Sequence, residues 1–138
     1  MSDFVVVQGT PVAKNLIYAT WLRCYEASSL AAKNIPRDVF FGEHHKLLDS
    51  IFARGPEVRL AVLPDEPDVV LGWSVHEGGT VHFVYVKPAF RKHGIAAALL
   101  EGVQRPFVYT HWTHALRDLH GKLTGCVYNP YLLTRAAA

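Results

Sequence analysis

The stretch Val84-Tyr-Val-Lys-Pro-Ala-Phe-Arg-Lys-His-Gly-Ile-Ala-Ala-Ala-Leu-Leu100 decides how the chain is read. A strand rich in valine runs out at Val86, Pro88 stops it, and small residues from Gly94 onward open a helix. The spacing predicts that helix over Gly94–Gln104, with Ile95, Leu99, Leu100 and Val103 on its apolar side. A helix N-terminus exposes unpaired backbone N–H groups and the positive end of the helix dipole. Gly94 and Ala96 let that backbone approach a ligand closely, while Arg91 and Lys92 add full charges. Such a turn is a cradle for a phosphate or pyrophosphate.

Working back from this turn, three short β-branched runs predict strands at Val58–Leu63, Val69–His76 and Thr80–Lys87. Gly78-Gly79 reads as a hairpin turn, because both glycines tolerate positive φ. Uninterrupted alternation across that hairpin sets Glu77 opposite Thr80, Val75 opposite His82 and Trp73 opposite Val84, with Thr80, His82, Val84, Val75 and Trp73 on one face. Further upstream lie a strand at Phe4–Val7, a helix opening at Thr10-Pro11 and carrying Ile17, Trp21 and Tyr25, and a second helix over Asp38–Arg54. Downstream, a strand at Phe107–Trp112, a helix at His114–Leu123 and a last strand at Cys126–Leu133 complete the order. Strand, two helices, three antiparallel strands, helix, strand, helix, strand is an α/β (α+β) architecture with a mixed, mostly antiparallel sheet.

Composition bounds the class. With 138 residues, 50% of them hydrophobic and 19% charged, residues 1–138 form one domain with enough apolar material for a real core, and disorder is excluded. No apolar run approaches the roughly 20 residues of a membrane-spanning helix. Met1-Ser2-Asp3-Phe4 lacks the basic start of a signal peptide, and Cys24 and Cys126 have neither disulfide-framework nor zinc-knuckle spacing, so a cytoplasmic setting is expected. The net charge of +2 does not indicate nucleic acid. Residues 70–138 nevertheless carry 7 Lys/Arg against 3 Asp/Glu, and six of the eight histidines, so counter-charges for an anionic ligand lie there.

Strand, Arg91-x-x-Gly94-x-Ala96 and Leu99-Leu100, placed after two helices and three strands, resembles the acyl-CoA motif of the GNAT superfamily of N-acetyltransferases. The motif-level likeness covers about residues 70–104. The resemblance implies that the backbone of Arg91, Lys92, His93, Gly94, Ile95 and Ala96 holds the pyrophosphate of acetyl-CoA. It also implies that Val84 and Val86 pair with the pantetheine arm like an added strand, and that the Val84 N–H stabilises the oxyanion. Neither a metal nor a covalent intermediate is required. His82 falls where arylalkylamine acetyltransferases of the superfamily carry a catalytic histidine, which makes it the candidate general base. The superfamily's usual acid is a tyrosine on the last helix; His114–Leu123 has none, and Tyr128 is taken in its place, with His120 or a water as alternatives.

His44 and His45 are neighbours on a helix and cannot face one ligand together, so both read as surface or acceptor-loop residues. His111-x-x-His114 with His120 lacks a cysteine or carboxylate partner at metal-site spacing, and no metal is expected. The first reading is therefore an acetyl-CoA-dependent N-acetyltransferase acting on a primary amine by direct attack. A catalytically inactive acyl-CoA-binding sensor or interaction module of the same fold is the alternative, and a nucleotide-binding domain a third. The acceptor amine and a homodimer are left open by the residues.

Overall fold

Residues 3–9, 13–28, 32–119 and 124–134 are described by the computed structural model. The β-branched runs form β1 (Val5–Gln8), β2 (Glu57–Val62), β3 (Val70–Glu77) and β4 (Thr80–Val86), each antiparallel to its neighbour. Helices α1 (Lys14–Ser28) and α2 (Arg37–Ala53) connect β1 to β2. After β4 come α3 (Ile95–Leu99), β5 (Val108–Tyr109), α4 (His114–Asp118) and β6 (Val127–Tyr128), with β5 and β6 added in parallel. The strand order β1-β2-β3-β4-β5-β6 makes one mixed, mostly antiparallel sheet, which is the expected fold class. No helix among the described residues is long and apolar enough to cross a membrane.

Two cores sandwich the sheet. On one face Ile17, Trp21, Leu48 and Ile51 from α1 and α2 pack on Leu60, Trp73, Val75 and Phe83. On the other, Ile95, Leu99 and Leu116 cover Ala61, Leu71, Val81, Val84 and Val86. Burying each such large apolar side chain contributes about 1.5–3 kcal/mol. Gly72 lets α3 sit low on the sheet: a Cβ there would lie 2.6 Å from the Tyr85 carbonyl oxygen and 3.2 Å from Ile95 Cγ2.

The β3–β4 register departs from the sequence expectation. Glu77 does pair with Thr80, and Gly78 takes φ +55, but His76 pairs with Val81 and Val75 with Phe83. His82 is the extra residue of a β-bulge. Val75 therefore does not face His82, and Trp73 pairs with Tyr85 rather than Val84. The bulge moves Val84 to the α3 core, away from Trp73 and Val75, so the five expected residues do not share a face.

The later elements are shorter than the sequence suggests. Helix α3 stops at Leu99 instead of reaching Gln104: Gly102 takes φ +82, and Arg59 Nη1 donates to the carbonyls of Leu99 (2.9 Å) and Glu101 (2.6 Å). Helix α4 starts where expected, its Thr113 hydroxyl accepting the Leu116 N–H at 3.1 Å, and its expected continuation over 120–123 lies outside the described residues. Pro130, which has no N–H to offer a ladder, turns the chain into a 3-10 segment (Pro130–Thr134) and limits β6 to Val127–Tyr128. The proposed helix start at Thr10-Pro11 also lies outside the described residues.

Candidate functional site

The turn after β4 is built by backbone geometry. Pro88–Phe90 form a single 3-10 turn, Lys92 takes φ 64, and Gly94 takes φ 83 immediately before α3. Left-handed φ costs an L-residue about 1–2 kcal/mol and a glycine almost nothing, so Gly94 suits this corner. Nothing lies within 4 Å of where its Cβ would be, so the space above it is open. A cleft of about 320 Å³ adjoins it, lined by Val86, Arg91, Lys92, Gly94, Ile95 and Ala96 and walled across by Ala115 and Leu119. His93 faces elsewhere, into a neighbouring cleft with Phe4, Leu63 and Leu71, while its Nδ1 lies 2.8 Å from the Arg91 carbonyl.

One edge of β4 is left open toward this cleft. The Lys87 N–H bonds the Leu71 carbonyl at 2.8 Å on the β3 side. Alternation then directs the backbone groups of Tyr85 and Phe83 to β3, and those of Val84 and Val86 to the opposite edge. Parallel pairing with β5 stops at Val81, and one residue further on the Thr110 hydroxyl reaches the His82 carbonyl at 3.2 Å. Arg91 spans the end of this edge, its Nε donating to the Val86 carbonyl at 3.2 Å.

His82 sits one residue beyond that pairing and is only 1% exposed. Both ring nitrogens are engaged: Nε2 lies 2.6 Å from Glu77 Oε1, and Nδ1 lies 3.0 Å from Thr110 Oγ1. Arg54 clamps the same carboxylate, Nη2 at 2.6 Å from Oε1 and Nε at 2.9 Å from Oε2. Burial alone would raise the Glu77 carboxyl, but hydrogen bonds from Arg54 and His82 overcome it and hold the group below its ordinary range. Burial also pushes His82 down, opposed by the Glu77 carboxylate and assisted by Arg54.

The polar line continues from His82 in a way the sequence does not announce. Thr110 Oγ1 lies 3.0 Å from His111 Nδ1, and His111 Nε2 lies 3.0 Å from His44 Nε2. His44 is thus a buried member of this line on α2, 7% exposed, and not the surface residue expected; His45, one position on, is exposed. Burial pushes His44 down to about 4 and His111 well below its ordinary value. His111 meets His44, and no group of three metal-ligating side chains occurs among the described residues. His120 and the His114 side chain lie outside them.

Tyr128 stands apart, 47% exposed on β6, beside Tyr109 at 5.6 Å between ring centroids and hydrogen-bonded to Tyr25. Burial of its hydroxyl and the neighbouring Tyr25 push it up to about 12, so it keeps its proton. It does not line the cleft at the turn. Glu77, Thr110, Arg54, His111 and His44 were absent from the sequence-derived site. Glu77 alone had a usable signal, since it straddles the Gly78-Gly79 turn from His82.

The fold has solved counterparts. A GCN5-related N-acetyltransferase (aminotransferase, class-II) from Rhodopseudomonas palustris superposes with a TM-score of 0.50 at 16% identity, over 91% of this chain and 70% of the other. A ribosomal-protein-alanine N-acetyltransferase from Brucella melitensis biovar Abortus 2308 matches at TM-score 0.40 and 17% identity, over 99% and 93% of the two chains. AAC(6')-Iy in complex with a bisubstrate analog, CoA-S-monomethyl-acetylneamine, matches at TM-score 0.41 and 16% identity, over 91% and 78%. No family model and no curated protein matches the chain.

Proposed function

We propose, with the GCN5-related N-acetyltransferase fold as the premise, that the protein moves an acetyl group from acetyl-CoA to a primary amine by direct attack. The observation that carries this reading is the cleft at the β4–α3 turn, where Val86, Arg91, Lys92, Gly94, Ile95 and Ala96 meet beside an open strand edge. The turn supplies backbone N–H groups and two cations for the pyrophosphate, and the small residues Gly94 and Ala96 keep the approach clear. The backbone of Val84 and Val86 offers the pantetheine amides a strand to pair with, ending at the Val84 N–H as donor to the tetrahedral oxyanion.

In this mechanism the ammonium of the acceptor loses one proton before attack. Its nitrogen then bonds to the thioester carbon, the C–S bond breaks, and the thiolate leaves protonated. His82 is the proton store, the one ring of the buried line with a carboxylate against it. Tyr128 is retained as the proposed acid toward the thiolate, on its protonated hydroxyl alone.

Calorimetric titration with acetyl-CoA, repeated on Gly94→Glu, tests the reading. Saturable binding that the substitution weakens by about a hundredfold or more is expected, since a carboxylate would stand where the pyrophosphate lies. No binding by folded wild-type protein would remove the transferase reading and turn attention to nucleotides. An inactive acyl-CoA-binding module has one observation in its favour, the lack of a tyrosine in α4 over His114–Asp118. Under the enzyme reading His82→Ala keeps acetyl-CoA binding and loses turnover; an amine panel on which wild type also shows no turnover speaks for the module.

A further inference from the structure

Five side chains from four parts of the chain (β3, β4, α2 and the segment after β5) form one continuous hydrogen-bonded line: Glu77, His82, Thr110, His111 and His44. One end fixes the direction of the whole. An ionised carboxylate can only accept, so Nε2 of His82 carries the hydrogen and donates to Glu77. The neutral ring then has a bare Nδ1 3.0 Å from the Thr110 hydroxyl, nearer than the His82 carbonyl at 3.2 Å that the same hydroxyl also reaches, and Nδ1 takes the hydroxyl hydrogen. Thr110 has a single hydrogen, so its oxygen accepts from His111 Nδ1–H. That leaves His111 Nε2 bare, and His44 Nε2–H donates to it. Every bond points toward Glu77.

We infer that Thr110, His111 and His44 are a proton relay for the sealed base, with His44 Nδ1 as the entry point and the Glu77–His82 pair as the terminus. The inference rests on the transferase reading above. Exposure supports the direction: His82 is 1% and His111 0% exposed, whereas His44, the outermost ring, is 7% exposed and its Nδ1 has no hydrogen-bond partner among the described residues. Charge supports the terminus. His44 faces the rings of Tyr25 and Phe40 besides His111; His111 faces Trp21, Tyr25 and Phe83; only His82 faces a carboxylate, with Arg54 behind it and His76 on the adjoining strand.

The transfer balances. A proton from the ammonium bonds to His44 Nδ1, and the His44 Nε2 hydrogen passes to His111 Nε2. The His111 Nδ1 hydrogen passes to the Thr110 oxygen, whose own hydrogen passes to His82 Nδ1. His82 becomes the cation, held against Glu77, and every other member is neutral again. After acetyl transfer the proton returns to solvent along the same line in reverse. His82, Thr110 and His111 are positioning and conducting residues; none meets the acceptor.

The test reads the imidazole nitrogens of the full chain by 15N NMR at neutral pH, with no ligand added. The expected result is Nε2–H for His82 and His44 and Nδ1–H for His111, with Thr110→Val displacing His111 from that tautomer and Thr110→Ser restoring it. Wild-type His111 in the Nε2–H form, or wild-type tautomers throughout in Thr110→Val, would overturn the relay. Turnover with acetyl-CoA and a panel of primary amines then reads its use: kcat falls about a hundredfold in Thr110→Val, acetyl-CoA KM holds, and Thr110→Ser recovers. Unchanged kcat and pH profile in Thr110→Val would overturn the relay. Absence of acetyl-CoA binding by wild type would instead remove the transferase reading, leaving the tautomer result standing.

Discussion

The turn from Arg91 to Ala96 and the buried line from Glu77 to His44 lie at opposite ends of β4 and are built in opposite ways. The turn is contiguous in sequence, open to solvent, and shaped by backbone at Lys92 and Gly94. The line draws on α2, the β3–β4 hairpin and the segment after β5, is sealed, and depends on side chains that must all be present. A ligand cradle made of main chain tolerates exchange of most side chains around it. A chain of hydrogen bonds fails at its weakest member.

Acid separates the two regions most sharply. Burial holds His44 and His76 at about 4, against an unfolded value of about 6.5. Between those values the unfolded chain binds protons that the folded one does not, so stability climbs from pH 4 to 6.5 and is lost as pH falls through that window. His82 and His111, also lowered, add in the same direction. The lowered Glu77 carboxyl adds a contribution present above its unfolded value and lost as pH falls through its folded one. Urea midpoints measured against pH should show this slope, flattened in His44→Gln and unchanged in Gly94→Ala; a flat wild-type profile would break the contrast.

Removing one anion comes next. Glu77→Ala leaves the Arg54 guanidinium, with 20% of its side chain exposed, and the His82 Nε2–H without their acceptor. The cost is about 3 kcal/mol, read as a lower urea midpoint at unchanged slope. A loss below about 1 kcal/mol would mean that the carboxylate is dispensable to the line. The smallest effect belongs to the turn: Gly94→Ala meets no atom within 4 Å and carries only the left-handed φ, about 1 kcal/mol. A much larger loss would show that the turn is held by more than its backbone.

The same contrast explains what could be read beforehand. The element order, the hairpin and the turn at Gly94 are local patterns, and each appears close to where the sequence puts it. Contacts between distant positions were out of reach: nothing near His44 points to His111, 67 residues away. The placement of His82 failed for a different reason. Counting alternate residues assumes an uninterrupted ladder, and no residue type between Val75 and Val84 signals the extra one at His82. Helix α3 came out short where Gly102 takes a left-handed φ and a distant guanidinium, Arg59, takes the carbonyls of Leu99 and Glu101.

That single extra residue acts as a change of phase along β4. Before it, Val81 belongs to the α3 layer; after it, Val84 and Val86 do, so an odd spacing separates positions that face the same way. Deleting His82 would restore strict period two and leave those faces as they are, whereas keeping it and flattening the bulge would, with the hairpin fixed, exchange the faces of everything downstream: Phe83 and Tyr85 would turn toward the small-residue helix, and the valines toward the tryptophans. The strand thus keeps two separate alignments, one set by the hairpin and one by the cleft. His82 occupies the joint between them, where a side chain answers to neither.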